Sequence, residues 1–136
     1  MKKNNKKNLI LAREWFDKAK DDELSIKAIL KEKGAPSTVC FLSRQMAEKH
    51  LKAFLVFHNK PFPKIHHLDR LLELCMKIDK SFEELKDETI VLSDYYVETR
   101  YPGGWSEEWS WKEAREAFDN SSRIKEFVLE KIKISI

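Results

Sequence analysis

The sequence predicts an all-α fold, an up-and-down antiparallel bundle of four long helices and one short helix. Three observations support this prediction. The chain of 136 residues combines 42% hydrophobic with 36% charged residues, which suits amphipathic helices with solvated outer faces. It has three glycines and four prolines, too few to separate many short strands. Its apolar residues recur at spacings of three and four, and the intervening segments are short.

The domain organisation follows from the length and from the first residues. We expect a single helical domain over residues 9–136, after a basic, flexible tail at residues 1–8. The tail contains KKNNKK, which suits a solvated segment or an aid to binding RNA or an acidic partner. We expect no signal peptide or membrane span, because no long apolar run is present.

Helical spacing places the first two helices at about residues 9–31 and 36–58. The segment KGAPS separates them, with Gly34 suited to the end of one helix and Pro36 to the start of the next. The segment NKPFPKIH ends the second helix, because its two prolines cannot continue a helix.

The later helices are predicted at about residues 67–77 and 81–99, and from Ser110 or Trp111 onwards. Ser81 followed by Glu84 matches a capping box at the start of the fourth helix. The expected seam of that helix has spacings of four, three and four, through Leu85, Thr89, Leu92 and Tyr96.

Composition also limits the chemistry that we expect. Cys40 and Cys75 lie in apolar helical patterns, so we expect buried, reduced thiols and a cytoplasmic protein. No cysteine or histidine spacing matches a metal site, so we expect no metal and no cofactor other than a possible nucleotide ligand. The net charge of +3 permits weak phosphate binding without indicating a DNA-binding protein.

Three segments carry a resemblance to a known family. They are AREWFDKAKDDELSIKAIL, CFLSRQMAEKHLKAFLVFHNKPFPKIHHLDRLLELC and YYVETRYPG. In this order and spacing they resemble the HEPN domain family (higher eukaryotes and prokaryotes nucleotide-binding), over roughly residues 9–128 of this chain. The resemblance implies a four- to five-helix up-and-down bundle that is commonly a homodimer.

The resemblance implies two classes of function. Many HEPN proteins bind a minimal nucleotidyltransferase, and some are reported to bind nucleotides. Others are metal-independent ribonucleases that act as the toxin of a toxin–antitoxin pair. We expect the first class, an accessory or binding subunit, and keep the ribonuclease as the alternative. A bundle that serves only as an interaction module is a third possibility.

Arg44 and His50 are the candidate catalytic residues of the ribonuclease alternative. HEPN ribonucleases use an arginine followed four to six residues later by a histidine, and Arg44, Gln45 and His50 fit this loose pattern. A histidine could move a proton from the RNA 2′-hydroxyl, and an arginine could stabilise charge on the phosphate. Six helical positions, however, leave the two side chains about 120° apart, so they converge only if a dimer partner supplies the other half.

A second argument against catalysis is that the family's ribonuclease motif lies later in the bundle, whereas no histidine follows His67. The segment SRQMAEKHLKAFL is therefore interpreted first as a packing helix. Its apolar residues are expected to build the core, and Glu48, Lys49 and Lys52 are expected to face outward or toward a partner. Lys49 and Lys52 are accordingly candidate residues for binding a phosphate or a partner.

The remaining candidate binding residues lie in two loops. His66 and His67 stand at the start of the third helix, where they suit either local hydrogen bonding or a nucleotide phosphate. Tyr96, Arg100 and Tyr101 stand near the end of the fourth helix, where the arginine suits either the helix dipole or a phosphate. The tryptophan-rich segment 105–111 is expected to serve packing or an interface, with base stacking as the alternative.

Overall fold

The computed structural model describes residues 2–62, 64, 67–95 and 109–135, with side chains from residue 6 to residue 133 within these ranges. Five α-helices occur in the described ranges, and a 3₁₀-helix at Lys80–Leu85 directly precedes the fourth. None of the described residues forms a strand, and the predicted all-α fold is confirmed. The α-helices are α1 at Lys2–Glu32, α2 at Pro36–Phe57, α3 at Leu68–Ile78, α4 at Lys86–Ser93 and α5 at Trp111–Ser135.

Contacts at the two ends of the bundle give the helix directions. At one end, the Trp109 N–H donates to Ser37 Oγ over 3.4 Å, so α2 and α5 begin together. At the other end, the ring of Phe82 lies 4.3 Å from that of Phe54 and 4.9 Å from that of Phe127. α2 and α5 therefore run in the same direction. The 3₁₀-helix and α4, which lie between them in sequence, run in the opposite direction. The short loop after α1 makes α1 antiparallel to α2, which confirms the up-and-down topology.

The loop between α1 and α2 lies where it was predicted, but the left-handed residue that ends α1 is Lys33 and not Gly34. Lys33 has a φ of 56°, and the Gly34 N–H donates to the Ile29 carbonyl over 3.0 Å. This hydrogen bond satisfies a carbonyl at the end of α1. Pro36 occupies the first turn of α2, where its missing N–H costs no helical hydrogen bond.

The N-terminal boundary differs from the prediction. α1 begins at Lys2, so residues 2–8 belong to the helix rather than to a separate tail. Asn8 is 6% exposed, whereas Lys6 and Lys7 are exposed. The segment KKNNKK has no apolar stripe, and apolar periodicity therefore could not reveal that the helix extends through it.

The fourth helical segment also differs from the prediction. The capping box at Ser81 is wrong, because the Asp79 carboxylate accepts the Ser81 N–H at 3.0 Å and the Ser81 hydroxyl at 2.6 Å. A 3₁₀-helix of six residues follows, and α4 has eight residues. Within the described ranges, α1, α2 and α5 are long, whereas the fourth segment is broken and α3 is short. Residues 96–99 of the predicted fourth helix lie outside the described residues.

A capping box does occur at the start of α5. The Ser110 N–H donates to Glu113 Oε1 over 2.9 Å, and the Glu113 N–H donates to Ser110 Oγ over 3.1 Å. The two residues thus satisfy backbone donors reciprocally. This cap agrees with the predicted start of the last helix.

The core fills the space between all five α-helices, and Ala19 and Ile26 of α1 belong to it. Cys40 and Cys75 are buried free thiols, as predicted, and burial raises the pKa of Cys40 to about 12. Leu85, Thr89 and Leu92 face inward, which confirms the described part of the predicted seam.

The aromatic cluster around Phe82 leads to a first prediction. Phe82 is fully buried between two other rings, so Phe82→Ala removes packing and leaves a cavity. We expect the free energy of unfolding, measured by urea denaturation, to fall by about 3–5 kcal/mol. The control is Leu24→Ala, because Leu24 is 56% exposed and its loss should cost about 0.5 kcal/mol or less. Equal losses in the two variants would contradict this account of the core.

Candidate functional site

The candidate site is a set of polar side chains on α2 that are buried inside the bundle. α2 packs against α1, α3, α4 and α5, so it has little surface left for solvent. Buried charges require partners, because an unpaired ion loses its hydration without compensation. The buried polar residues of α2 are Ser43, Arg44, Glu48, His50 and Lys52.

Three of these residues form a ladder with spacings of four. Arg44 Nη1 donates to Glu48 Oε1 over 3.0 Å, and Lys52 Nζ donates to Glu48 Oε2 over 2.7 Å. The three residues are 1%, 4% and 6% exposed. One carboxylate therefore serves two buried cations, and we refer to Arg44, Glu48 and Lys52 as the charge ladder. Hydrogen bonds between two charged groups, such as these, are shorter and stronger than those between neutral groups.

Aromatic rings surround the lysine end of the charge ladder. Lys52 Nζ lies 5.3 Å from the ring centroids of both Trp15 and Phe62. These two rings contact each other edge to face at 5.9 Å. The negative faces of aromatic rings attract a cation, so they partly replace the water that Lys52 has lost.

The orientation predicted for this part of α2 is wrong for Glu48 and Lys52, which face inward. Lys49 is only partly exposed, and its Nζ donates to Asp22 Oδ2 on α1 over 2.7 Å. Burial raises the pKa of Asp22, although the hydrogen bond and charge of Lys49 act in the opposite direction. Neither lysine therefore presents a free ammonium group to solvent.

His50 lies on another side of α2, against α1. It is 3% exposed, and its ring lies 5.5 Å from that of Phe16. Its Nδ1 has no hydrogen-bond partner among the described residues. Burial lowers the pKa of His50 to about 4, with Lys125 acting in the same direction and Glu23 against it. The imidazole is therefore neutral at physiological pH.

The structure gives Arg44 and His50 different surroundings. Arg44 bonds to Glu48 in the charge ladder, whereas His50 packs against Phe16 near the ion pair of Glu23 and Lys125. This agrees with the angle of about 120° that six helical positions impose. Both side chains are buried, so neither meets solvent in this chain.

The other predicted site residues fall into two groups. His67 is exposed immediately before α3, where its side chain does not cap the helix. Trp109 and Trp111 are partly buried against the core, and Trp109 contacts Tyr95 edge to face, which agrees with a packing role. The remaining candidates lie outside the described residues: His66, Tyr96, Arg100, Tyr101 and Trp105.

Glu48 is the residue whose importance the sequence reasoning missed. A signal was available in the alternation of charge at Arg44, Glu48 and Lys52, which share one face at i, i+4 spacing. The segment around them, VCFLSRQMAEKHLKAFLVF, has apolar residues on every side. Such a helix is buried all round, so charges along it must be paired inside the protein.

The described residues form neither a candidate metal site nor a membrane-spanning helix. No group of three His, Cys, Asp or Glu side chains among them could hold a metal ion. No helix in the described part of the chain is long and apolar enough to cross a membrane.

Comparison with known proteins establishes the family. A model of the HEPN domain matches residues 12–132. Among solved structures, the crystal structure of an archaeal HEPN homologue is similar, with a TM-score of 0.72 and 25% sequence identity. The match covers 89% of this chain and 97% of that chain. A search of curated proteins gives no match. The chain belongs to the HEPN domain family.

Proposed function

We propose that this protein is a binding subunit that pairs with a minimal nucleotidyltransferase, with nucleotides as further ligands, and that it is not a ribonuclease. Membership of the HEPN family is compatible with a binding subunit and with a ribonuclease. The observation that favours binding is the burial of Arg44 and His50, which are 1% and 3% exposed.

The state of His50 supports this proposal. An efficient general acid or base has a pKa near the working pH and reaches the proton that it transfers. Burial lowers the pKa of His50 to about 4, so at pH 7 the neutral imidazole is a weak base. The residue is 3% exposed and its ring packs against Phe16 of α1, so RNA at the surface would not reach the imidazole.

The state of Arg44 supports it in a second way. A ribonuclease needs an arginine whose charge faces the attacked phosphate. The guanidinium of Arg44 donates to the Glu48 carboxylate, which also holds Lys52. If Arg44 bound a phosphate instead, its buried ion pair with Glu48 would break. The Glu48 carboxylate would then keep only Lys52 as its partner in the charge ladder. We therefore assign the charge ladder to the stability of the bundle.

The binding role would use residues at the surface. Of the predicted binding residues, His67 is exposed beside exposed Lys64 and Arg70, near the start of α3. Cationic side chains and free N–H groups at a helix start suit a phosphate or a partner carboxylate. We place this function in the cytoplasm, where the buried thiols of Cys40 and Cys75 remain reduced.

The test is a capture experiment with the tagged full-length chain from the cells that produce it, read by mass spectrometry. We expect a small nucleotidyltransferase in equimolar amount. We also expect 1 mM ATP to raise the melting temperature of the purified chain, because a ligand of the native state stabilises it. If no nucleotidyltransferase is captured and ATP leaves the melting temperature unchanged, the proposed function is wrong.

A separate assay addresses the ribonuclease alternative. We expect single-stranded RNA to remain intact with the purified chain in EDTA, and His50→Gln to behave like the unmodified protein. His67→Gln is the matched control, because it makes the same change at an exposed histidine. Metal-independent cleavage that His50→Gln or Arg44→Lys abolishes, in variants that keep their helical circular dichroism, would establish the ribonuclease instead.

A further inference from the structure

A groove between the end of α1 and the start of α5 has no role in the site described above. Its volume is about 380 Å³, near the lower end of the size range of small-molecule sites. Leu30 and Trp111 line it, and both are partly buried against the core, so packing holds the floor of the groove in place. The fold itself therefore forms the groove, and the groove has room for one small ligand.

Two cationic side chains complete the lining of the groove. They are Lys33, directly after α1, and Arg115, in the second turn of α5. Both are exposed, and neither forms an ion pair with another described residue. They differ in this from Arg44 and Lys52, which share the Glu48 carboxylate. Two positive charges beside one apolar surface attract an anion whose remaining surface is apolar.

The backbone of Lys33 adopts a conformation that costs free energy. Its φ of 56° lies in the left-handed region, which glycine enters most readily and asparagine tolerates. The other non-glycine residue with a positive φ in the described ranges is Asn59. A glycine at position 33 would therefore favour the fold, whereas the lysine that stands there contributes a charge to the groove. Residues held in costly backbone conformations cluster at functional sites.

The charges and the apolar lining decide which ligands suit the groove. A carboxylate can pair with both cations, because a guanidinium offers two parallel N–H donors and an ammonium adds a point charge. A flat ring or a branched chain of the same molecule can lie against Leu30 and Trp111. A free amino acid suits the groove less well, because its ammonium group would approach two cations. A nucleotide also suits it less well, because its polar ribose would face apolar side chains.

We propose that this groove is a binding site for a small monocarboxylate whose remaining part is apolar and either aromatic or branched. The carboxylate pairs with Lys33 and Arg115, and the apolar part packs on Leu30 and Trp111. Each side of the groove supplies one cation and one apolar side chain, so the ligand connects the end of α1 to the start of α5. The site is separate from the proposed function, because it uses none of the exposed cations near the start of α3.

The first test compares three probes with the same apolar body, namely 4-phenylbutyrate, 4-phenylbutanol and 4-phenylbutylamine. Each is titrated into the full-length ¹⁵N-labelled chain, and the indole N–H signal of Trp111, assigned with Trp111→Phe, reports binding by NMR. We expect the carboxylate to bind with a dissociation constant below about 1 mM. The alcohol should bind about tenfold more weakly or worse, and the amine more weakly still. Equal affinity for the three probes, or no binding of the carboxylate at about 5 mM, would overturn the proposal.

The second test removes one cation from the groove. Arg115→Gln should weaken the binding of 4-phenylbutyrate about tenfold, because it removes a charge-assisted contact. The matched control is Lys112→Gln, which removes another exposed cation near the start of α5 that does not line the groove. It should change the affinity by about twofold or less. An equal loss in the two variants would show that the general positive charge of this surface binds the probe, and not the groove.

The third test, Lys33→Gly, should change two quantities in opposite directions. The melting temperature of the free chain should rise by about 2–4 °C, because glycine relieves the left-handed backbone. The affinity for 4-phenylbutyrate should fall about tenfold, because the ammonium group is lost. If the melting temperature rises while the affinity stays the same, Lys33 has only a structural role and the proposal is wrong.

Further titrations distinguish other occupants of the groove. If ATP displaces 4-phenylbutyrate and binds more tightly than it does, the groove is a nucleotide site that belongs to the proposed function, and the present proposal is wrong. If the affinity for the probe falls as the protein concentration rises, a second copy occupies the groove. If Trp105→Ala raises that affinity, the chain itself occupies it. Either result would overturn the assignment to a small monocarboxylate, whereas an affinity that is independent of both supports it.

Discussion

Glu48→Gln is expected to lower the free energy of unfolding by about 3–5 kcal/mol, because it removes the only carboxylate of the charge ladder. Arg44 and Lys52 remain buried at 1% and 6% exposure, and each then faces a neutral amide in place of a charge. The side-chain volume is almost unchanged, so the loss reflects electrostatics and not a cavity. Urea denaturation at pH 7, followed by far-ultraviolet circular dichroism, measures it.

The matched control is Glu83→Gln. Glu83 also pairs with a lysine on its own helical segment, Lys86 at 3.6 Å, but both side chains are more than half exposed. Surface pairs of this kind contribute about 0–1 kcal/mol. If Glu48→Gln destabilises the chain no more than Glu83→Gln does, the charge ladder does not stabilise the fold as described.

Replacing the whole charge ladder separates pairing from packing. The triple variant Arg44→Met, Glu48→Leu, Lys52→Met removes all three charges from the interior together. Since well-packed apolar residues often substitute for buried ion pairs without loss, we expect it to be more stable than Glu48→Gln alone. A triple variant that is less stable would show that these side chains contribute mainly through their shape.

The second large effect is a loss of stability in acid that depends on His50. The folded protein holds the pKa of His50 at about 4, while an unfolded histidine has a pKa of about 6.5. Between these values the unfolded chain binds a proton that the folded chain does not. Stability therefore falls as the pH drops from about 6.5 to 4, and the total contribution is about 3 kcal/mol.

Other groups titrate near this range, so the measurement must be a difference between two proteins. The pKa values of His58, Glu23 and Asp79 are lowered in the folded state, and they also reduce stability as the pH falls. The raised pKa of Asp22 acts in the opposite direction. Subtracting the profile of His50→Gln from that of the unmodified protein cancels these shared contributions.

The difference profile is the free energy of unfolding of the unmodified protein minus that of His50→Gln, measured by urea denaturation at pH 7.5, 6, 5 and 4.5. We expect this difference to fall by about 2–3 kcal/mol between pH 7.5 and pH 4.5. Direct titration of the imidazole signals by NMR provides the second check. Parallel profiles for the unmodified protein and His50→Gln, or a titration of His50 near pH 6.5, would show that the imidazole is not buried as described.

The elements that the sequence predicted well are those that depend on local chemistry. The end of α1 before Gly34, the start of α2 at Pro36 and the start of α5 at Trp111 agree with the structure. The two helix starts agree because proline and capping residues act on their own backbone, whereas Lys33 takes the left-handed position expected for Gly34. α3 agrees within one residue at each end. The inward-facing apolar residues also agree, since helical spacing places them on one face.

Two elements were predicted wrongly because the sequence pattern at each of them permits more than one outcome. Ser81 and Glu84 match a capping box, yet Asp79 provides the cap and a 3₁₀-helix replaces the first turns of α4. Residues 2–8 belong to α1 although they lack an apolar stripe. The local sequence permits either Ser81 or Asp79 as the cap, and it permits residues 2–8 to be either helix or tail. The structure shows the Asp79 cap and the longer helix.

The sequence alone determined the helical class, the up-and-down order and the resemblance to HEPN domains, because helical periodicity and loop chemistry are local properties of the chain. Only the tertiary structure decided the environment of the polar residues on α2. Glu48 and Lys52 were expected to face outward but are buried, since a sequence does not show how many helices surround α2. Packing on several sides excludes water from the polar residues of α2. Because a buried charge without hydration needs a partner, the charges of the ladder pair with one another, and burial keeps His50 neutral.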